Sequence, residues 1–255
     1  MGKIRSAISS FFGRVGTTPS VPKRVWAVIL AGGSSTRMGG DISKQWLTLD
    51  GLPVIVRTLA AFDRAKTVSD ILLVVRAEEK ELYGGIAEKY GIGKLRGIAI
   101  GGDSRQASAK NGFSAVADKA DMVAIHDGAR CLITPEDIDR VVSEAAKHGA
   151  ATAAAKGVDT VKLGTANGFI EKTLDRNHVW MAQTPQVFRT NVYHAALAIA
   201  ERDGITVTDD CSLAEHIEHP VRLVECSRDN IKLTTKDDIA RAEAILRART
   251  EEDRT

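Results

Sequence analysis

Four short stretches hold residue types whose spacing suits phosphate chemistry. The first, Leu30-Ala31-Gly32-Gly33-Ser34-Ser35-Thr36-Arg37-Met38-Gly39, leaves an aliphatic run directly, and Lys44 follows it. Glycines and small hydroxyls let backbone N–H groups approach phosphate oxygens, and Arg37 and Lys44 add positive charge, so this stretch reads as a triphosphate cradle. It matches neither GxxxxGK[ST] nor GxGxxG, so the fingerprints of P-loop hydrolysis and Rossmann dinucleotide binding are both missing. The second stretch, Gly101-Gly102-Asp103-Ser104-Arg105-Gln106-Ala107-Ser108, has small residues and backbone amides that can read the edge of a pyrimidine. Asp103 or Ser104 can equally cap a following helix, and the two roles are compatible. The third, His126-Asp127-Gly128-Ala129-Arg130, closes an apolar run, where α/β enzymes place their ligand crevice. There Asp127 suits Mg²⁺ or a substrate hydroxyl, a cap being the alternative, and Arg130 suits a phosphate. In the fourth, Asp229-Asn230-Ile231-Lys232, a strand end brings a lysine towards that crevice. Taken alone it is an ordinary surface lysine.

These residues need a scaffold, and the hydrophobic pattern describes one. Val25 to Leu30, Ile71 to Val75, Ile98 to Ile100 and Met122 to Ile125 read as buried strands. Val54 to Ala65, Glu78 to Tyr90, Ser104 to Ala117 and Pro135 to His148 read as helices between and after them. Strands separated by helices imply an α/β fold with a doubly wound, mostly parallel sheet. Beyond Ala155, Thr160 to Leu163 and Phe169 to Lys172 flank Gly164-Thr165-Ala166-Asn167-Gly168, which predicts a β-hairpin arm within about residues 157–185. Helices near Asn191 to Arg202 and Asp210 to Ile217, a strand at Val221 to Val224 and a closing helix at Lys236 to Arg249 complete a single domain over residues 25–250.

With 255 residues, 44% hydrophobic and 27% charged, the chain can build a core, which excludes wholesale disorder. No apolar stretch approaches the ~20 residues needed to cross a bilayer, so no transmembrane segment is expected. Three cysteines without CxxC spacing argue against a disulfide framework and a structural zinc site, and point to a reducing, cytoplasmic setting. Cys211, His216 and His219 lack tetrahedral-site spacing. Residues 1–24 carry Lys3, Arg5, Arg14, Lys23 and Arg24 and no acid, leaving 30 basic against 33 acidic groups in the remainder. The body is therefore not basic, and nucleic acid is not an expected partner. Within the head, Ile4, Ala7, Ile8, Phe11, Phe12 and Val15 recur at helical spacing, and Gly16 to Pro22 reads as a linker. A membrane-surface or organelle-targeting helix, which would imply a plastid, and a loosely packed extension are both compatible with that pattern. The start, Met1-Gly2-Lys3-Ile4-Arg5-Ser6, also fits the loose myristoylation pattern.

Leu-Ala-Gly-Gly-x-x-x-Arg-Met-Gly followed by Lys44-Gln45 resembles the signature of nucleotidyltransferases acting on sugar and polyol phosphates. Further motifs narrow the resemblance to the cytidylyltransferases for 2-C-methyl-D-erythritol 4-phosphate of the non-mevalonate isoprenoid pathway. They are Gly101 to Ser108, His126 to Arg130, Asp159-Thr160-Val161-Lys162, Leu174-Asp175-Arg176, Gln183-Thr184-Pro185-Gln186, Thr208-Asp209-Asp210 and Asp229 to Lys232, so that the similarity spans about residues 25–247. The resemblance implies cytidylyl transfer from CTP to that polyol phosphate with release of pyrophosphate, assisted by Mg²⁺. Arg37, Lys44 and Lys232 would act on the phosphates. Ala31, Gly32, Gly33, Gly102, Asp103, Ser108 and Asp127 would hold the nucleotide. Asp127, Arg130, Thr160, Lys162, Arg176 and Thr184 would hold the acceptor. It also implies a homodimer in which the arm crosses to the partner's site. Cys131 stands where the family commonly has proline, which bears on the rigidity of that turn. A ribitol 5-phosphate cytidylyltransferase shares nearly every motif, and a non-catalytic nucleotide-binding module is the reading from another class.

Overall fold

The computed structural model describes residues 24–33 and 43–252. The head helix, the linker, the myristoylation pattern and the stretch from Ser34 to Gly39, with Arg37, lie outside the described residues. The chain order is β1 (Val25–Leu30), β2 (Thr48–Leu49), β3 (Leu52–Pro53), α1 (Val54–Arg64), β4 (Asp70–Val75), α2 (Ile86–Tyr90), β5 (Leu95–Ile100), α3 (Arg105–Ser114), β6 (Met122–Asp127), α4 (Pro135–His148), β7 (Ala150–Lys156), β8 (Lys162–Gly164), β9 (Ile170–Thr173), β10 (Trp180–Arg189), α5 (Thr190–Asp203), α6 (Cys211–His216), β11 (Arg222–Glu225) and α7 (Lys236–Glu252).

A seven-stranded sheet, in the order β11-β7-β10-β6-β1-β4-β5, forms the middle layer. β1 pairs in parallel with β4 and β6, β4 with β5, and β7 with β11. β10 runs antiparallel between β6 and β7. β1 is buried along its whole length, as a central strand covered on both faces must be. Its odd-numbered residues, Val25, Ala27 and Ile29, enter one apolar layer with α1 and α4. Its even-numbered residues, Trp26, Val28 and Leu30, enter the other with α3 and α5. A third cluster packs α7 against Leu49 and Val54 at the end of the sheet that carries the loops. No helix among the described residues is long and apolar enough to cross a membrane.

The sequence pattern predicts neither the two-residue strands β2 and β3 nor two strands of the main sheet, β7 and β10. The β7 run Ala-Ala-Thr-Ala-Ala-Ala-Lys is rich in the best helix former and has Thr152 as its one β-branched residue. It becomes a strand because it pairs on both sides and is buried up to Ala155. The polar run Gln183 to Gln186 disguises β10, whose register against β7 shifts there. The helix expected over Glu78 to Tyr90 is a correction. It is a 3₁₀ segment at Ala77–Tyr83 and a separate α2, broken by Gly84 and by Gly85 in the left-handed region at φ +74°. The arm is a small antiparallel sheet of β8 and β9, with Gly168 of the Asn-Gly pair at φ +82° in its turn.

Candidate active site

The loops at the C-terminal ends of β1, β4, β5 and β6 enclose a cavity of about 570 Å³, lined by Gly32, Gly33, Lys44, Gly102, Asp127 and Lys232 among others. The Ala31 N–H donates to Val74 O at 2.7 Å and Gly128 N–H to Leu30 O at 2.8 Å, so the start of the glycine loop is tied to both neighbouring strands. Ala31 points its methyl into the core, while a Cβ at Gly33 would meet only open space. Lys44 opens a one-turn 3₁₀ segment, and its Nζ donates to Leu233 O at 3.3 Å from beside the cavity.

On the opposite wall the second glycine loop is shaped by its own packing. A Cβ at Gly102 would lie 2.6 Å from the Ala107 Cβ, and one at Gly101 2.7 Å from Ser108 Oγ. The loop therefore closes onto the first turn of α3, with Gly102 N–H donating to Ser108 Oγ at 3.1 Å. Ser104 is the N-cap, its Oγ accepting from Ala107 N–H at 3.0 Å. Asp103 does not cap; it stays exposed at the cavity wall.

Asp127 is the electrostatic centre. Its Oδ1 accepts from Arg105 Nε at 3.0 Å, its Oδ2 lies 2.8 Å from Lys232 Nζ, and Arg130 Nε is 3.8 Å away. Burial alone would raise this carboxyl, but Arg105 and Lys232 outweigh burial and hold it well below the usual carboxylate range. It is an anion at any physiological pH.

Beneath Asp127 the proton positions are fixed by chemistry. His126 Nε2 lies 3.2 Å from Arg130 O, a group that can only accept, so Nε2 carries the proton. Burial pushes the imidazole pKa down to about 3, so the ring is neutral and Nδ1 must accept. It does so from the Thr184 hydroxyl at 3.0 Å, and Thr184 Oγ1 in turn accepts the Asp127 N–H at 3.1 Å. Arg130 Nη1 donates to Asn230 O at 2.7 Å, and Asn230 Nδ2 donates to Gln183 Oε1 and Thr184 O. The Gln183-Thr184 and Asp229-to-Lys232 motifs thus form one support under Asp127 and Arg130.

Of the residues singled out in the sequence, the fold brings together Gly32, Gly33, Lys44, Gly102, Asp103, Ser108, Asp127 and Lys232 at the cavity, with Ala31, Arg130 and Thr184 immediately behind it. Thr160, Lys162 and Arg176 are not among its lining residues. Lys162 Nζ donates to Thr173 Oγ1 across the arm, and Arg176 begins a 3₁₀ turn capped by Asp175. Arg105 was overlooked. It lines the cavity and bridges Asp127 to Asp210, residues 22 and 105 positions away in sequence, which no local pattern links. Its place one residue after a helix cap at the cavity mouth was the available signal.

The family model IspD, 2-C-methyl-D-erythritol 4-phosphate cytidylyltransferase, matches residues 25–248. A protein of that name from Pelotomaculum thermopropionicum is 41% identical over 89% of this chain and 95% of its own length. The chloroplastic protein of that name from Oryza sativa is 37% identical over 88% of this chain and 75% of its own. Among solved structures, the 4-diphosphocytidyl-2C-methyl-D-erythritol synthase of Anaerococcus prevotii aligns with a TM-score of 0.79 at 31% identity, covering 88% of this chain and 96% of that one. The corresponding cytidylyltransferase of Thermus thermophilus aligns with a TM-score of 0.72 at 27% identity, covering 88% and 99%. The family match over residues 25–248 and these relatives show that the chain belongs to the 2-C-methyl-D-erythritol 4-phosphate cytidylyltransferase family.

Proposed function

We propose that the cavity transfers a cytidylyl group from CTP to 2-C-methyl-D-erythritol 4-phosphate, releasing pyrophosphate, and that residues 25–250 form the catalytic unit. The observation that carries this is Asp127, buried and anionic between Arg105 and Lys232, on the floor of a cavity framed by two glycine loops. The acceptor's phosphate oxygen attacks the α-phosphorus of CTP and the bond to the bridging oxygen of pyrophosphate breaks. The nucleophile is already an anion, so no covalent enzyme intermediate and no general base are needed. The protein aligns the two substrates and neutralises charge at the α-phosphate and the leaving group. Lys44 and Arg37 serve the triphosphate and Lys232 the reacting phosphates. Gly102, Asp103 and Ser108 read the cytosine.

Asp127 supplies one hard anionic oxygen, which fits Mg²⁺, since that ion binds through one or two carboxylates with substrate phosphates and water completing its shell. Mg²⁺ held there would supply positive charge that offsets the charge of the phosphates. The chain's own part is to hold Asp127 ionised and oriented, through Arg105, Thr184 and His126.

Thr160, Lys162 and Arg176 act in a second subunit's cavity. This reading is supported by the arm's projection and by its exposed apolar side chains, with Phe169 at 74% and Ile170 at 66% exposure. The protein works in the cytoplasm; a plastid setting would require residues 1–24 to be a targeting segment. Pyrophosphate release tests the assignment, with CTP, ATP and GTP each offered alongside 2-C-methyl-D-erythritol 4-phosphate and, separately, ribitol 5-phosphate. Turnover should need CTP and the methylerythritol acceptor; equal rates with ribitol 5-phosphate would overturn the acceptor assignment.

A further inference from the structure

We propose that Arg105 and Asp210 form a positioning pair for this reaction: Asp210 aims the Arg105 guanidinium, and Arg105 fixes one oxygen of Asp127 so that the other faces the ligands. The inference rests on the function proposed above. Arg105 is the first residue of α3, and its side chain spans two carboxylates from different elements. Nε lies 3.0 Å from Asp127 Oδ1 and Nη1 2.7 Å from Asp210 Oδ2. Nη2 is buried without a partner among the described residues, where the bonds of the guanidinium go to those two acids. Because the fork is planar, fixing Nη1 also fixes the direction of Nε.

Asp210 is itself rigidly held. It is 1% exposed, and its Oδ1 accepts from the buried Tyr193 hydroxyl at 2.5 Å. Its N–H and that of Cys211 both donate to Gln186 Oε1, at 2.7 and 3.1 Å, while Gln186 Nε2 donates to Asp209 Oδ2. Arg105 is its ion-pair partner among the described residues. A carboxylate so buried costs stability unless paired, and here it is not among the residues that line the cavity, so its use to the site runs through Arg105.

The two cations bonded to Asp127 are therefore unlike. Arg105 is anchored from behind on Oδ1, whereas Lys232 on Oδ2 is 38% exposed and, among the described residues, held by no comparable pair. Lys232 can turn to a phosphate when substrates enter while Asp127 keeps its place. A displacement of about 1 Å at such a group costs roughly 10²-fold in rate, which sets the scale expected for Arg105.

The test compares wild type, Arg105→Met, Arg105→Lys, Asp210→Asn and the double variant Arg105→Met/Asp210→Asn. Lys110→Gln, on the same helix as Arg105, removes an exposed pair with Glu201 of α5 and is the control. Each is measured by thermal melting and by steady-state pyrophosphate release with CTP and 2-C-methyl-D-erythritol 4-phosphate varied in turn. Arg105→Met should lower kcat about 100-fold and Asp210→Asn about tenfold, with KM for CTP within about threefold, because the glycine loops that hold the nucleotide are untouched. Arg105→Lys should not restore kcat, since an ammonium cannot hold both acids in one plane. The double variant should be no slower than Arg105→Met, because Asp210 acts only through the guanidinium. Wild-type kcat in Arg105→Met or Arg105→Lys, a further loss on adding Asp210→Asn, or a loss confined to KM for CTP would each overturn the proposal. If Arg105→Met does not fold, the kcat criteria for Arg105→Lys and Asp210→Asn decide. An inactive wild type would instead overturn the proposed function, and this inference with it.

Discussion

Replacing Asp127 by Asn changes charge and hydrogen bonding at the centre of the site while keeping shape, in a side chain only 10% exposed. The native carboxylate offers Oδ1 to Arg105 at 3.0 Å and Oδ2 to Lys232 at 2.8 Å. An amide has one oxygen to give, and its NH₂ then faces the second cation donor to donor. The oxygen should stay on Arg105, which Asp210 anchors from behind. Reducing that charge-assisted bond to a neutral acceptor costs about 1 kcal/mol. Losing the Lys232 contact costs no more than about 1 kcal/mol, since that partly exposed lysine can turn to water. The sum is about 2 kcal/mol, an upper figure because a buried charge is also removed, and it corresponds to a Tm lowered by about 4–8 °C for a chain of this size. Turnover should fall further, by roughly 10²- to 10³-fold, the scale for a missing oriented electrostatic group. Urea denaturation and pyrophosphate release measure the two effects. Wild-type turnover would refute the role given to the charge, and a stability loss beyond about 5 kcal/mol would show that Asp127 is chiefly a structural ion, of the kind whose buried pair cannot be broken cheaply.

Three further outcomes follow from particular contacts. The folded protein keeps His126 neutral with a pKa near 3, while the unfolded chain takes up a proton near pH 6.5; stability present above that value is lost as pH falls towards 3, by about 2 kcal/mol between pH 7 and 5, and equal urea midpoints at the two pH values would contradict the buried neutral ring. Gly112→Ala should destabilise despite alanine's better helix propensity, because its Cβ would sit 2.5 Å from Val28 Cγ1 and 2.7 Å from Val74 Cγ2, two stiff core side chains; a net loss of about 1–2 kcal/mol in denaturation is expected, and a gain in stability would refute it. Arg176→Ala and Lys44→Ala subunits, each nearly inactive alone, should regain activity when mixed and exchanged; exchange without recovery would place Arg176 in its own chain's site.

The sequence by itself carried the local part of this protein. β1, β4 and β6 were visible as aliphatic runs because a strand buried on both faces admits little else, whereas β5, expected as a buried strand at Ile98 to Ile100, is a partly exposed edge strand over Leu95–Ile100; the glycine loops between them could be recognised by their composition. Since phosphate binding at such loops uses backbone amides at successive positions, Gly32, Gly33, Lys44, Gly102 and Ser108 were accessible to a linear reading. The tertiary structure decided everything that depends on pairing across the chain. Ala150 to Lys156 is a strand only because β10 and β11 flank it, against its local propensity. Thr184 supports Asp127 only because β10 runs antiparallel beside β6, which lays its hydroxyl between His126 Nδ1 and the Asp127 N–H. Arg105 meets Asp127 and Asp210 only once α3 and α6 are docked on the sheet, and its charge is then fixed by partners that no spacing rule could have linked. Local chemistry is written in residue type and order, whereas the orientation of a buried charge is set by long-range neighbours, and those exist only after the chain has folded.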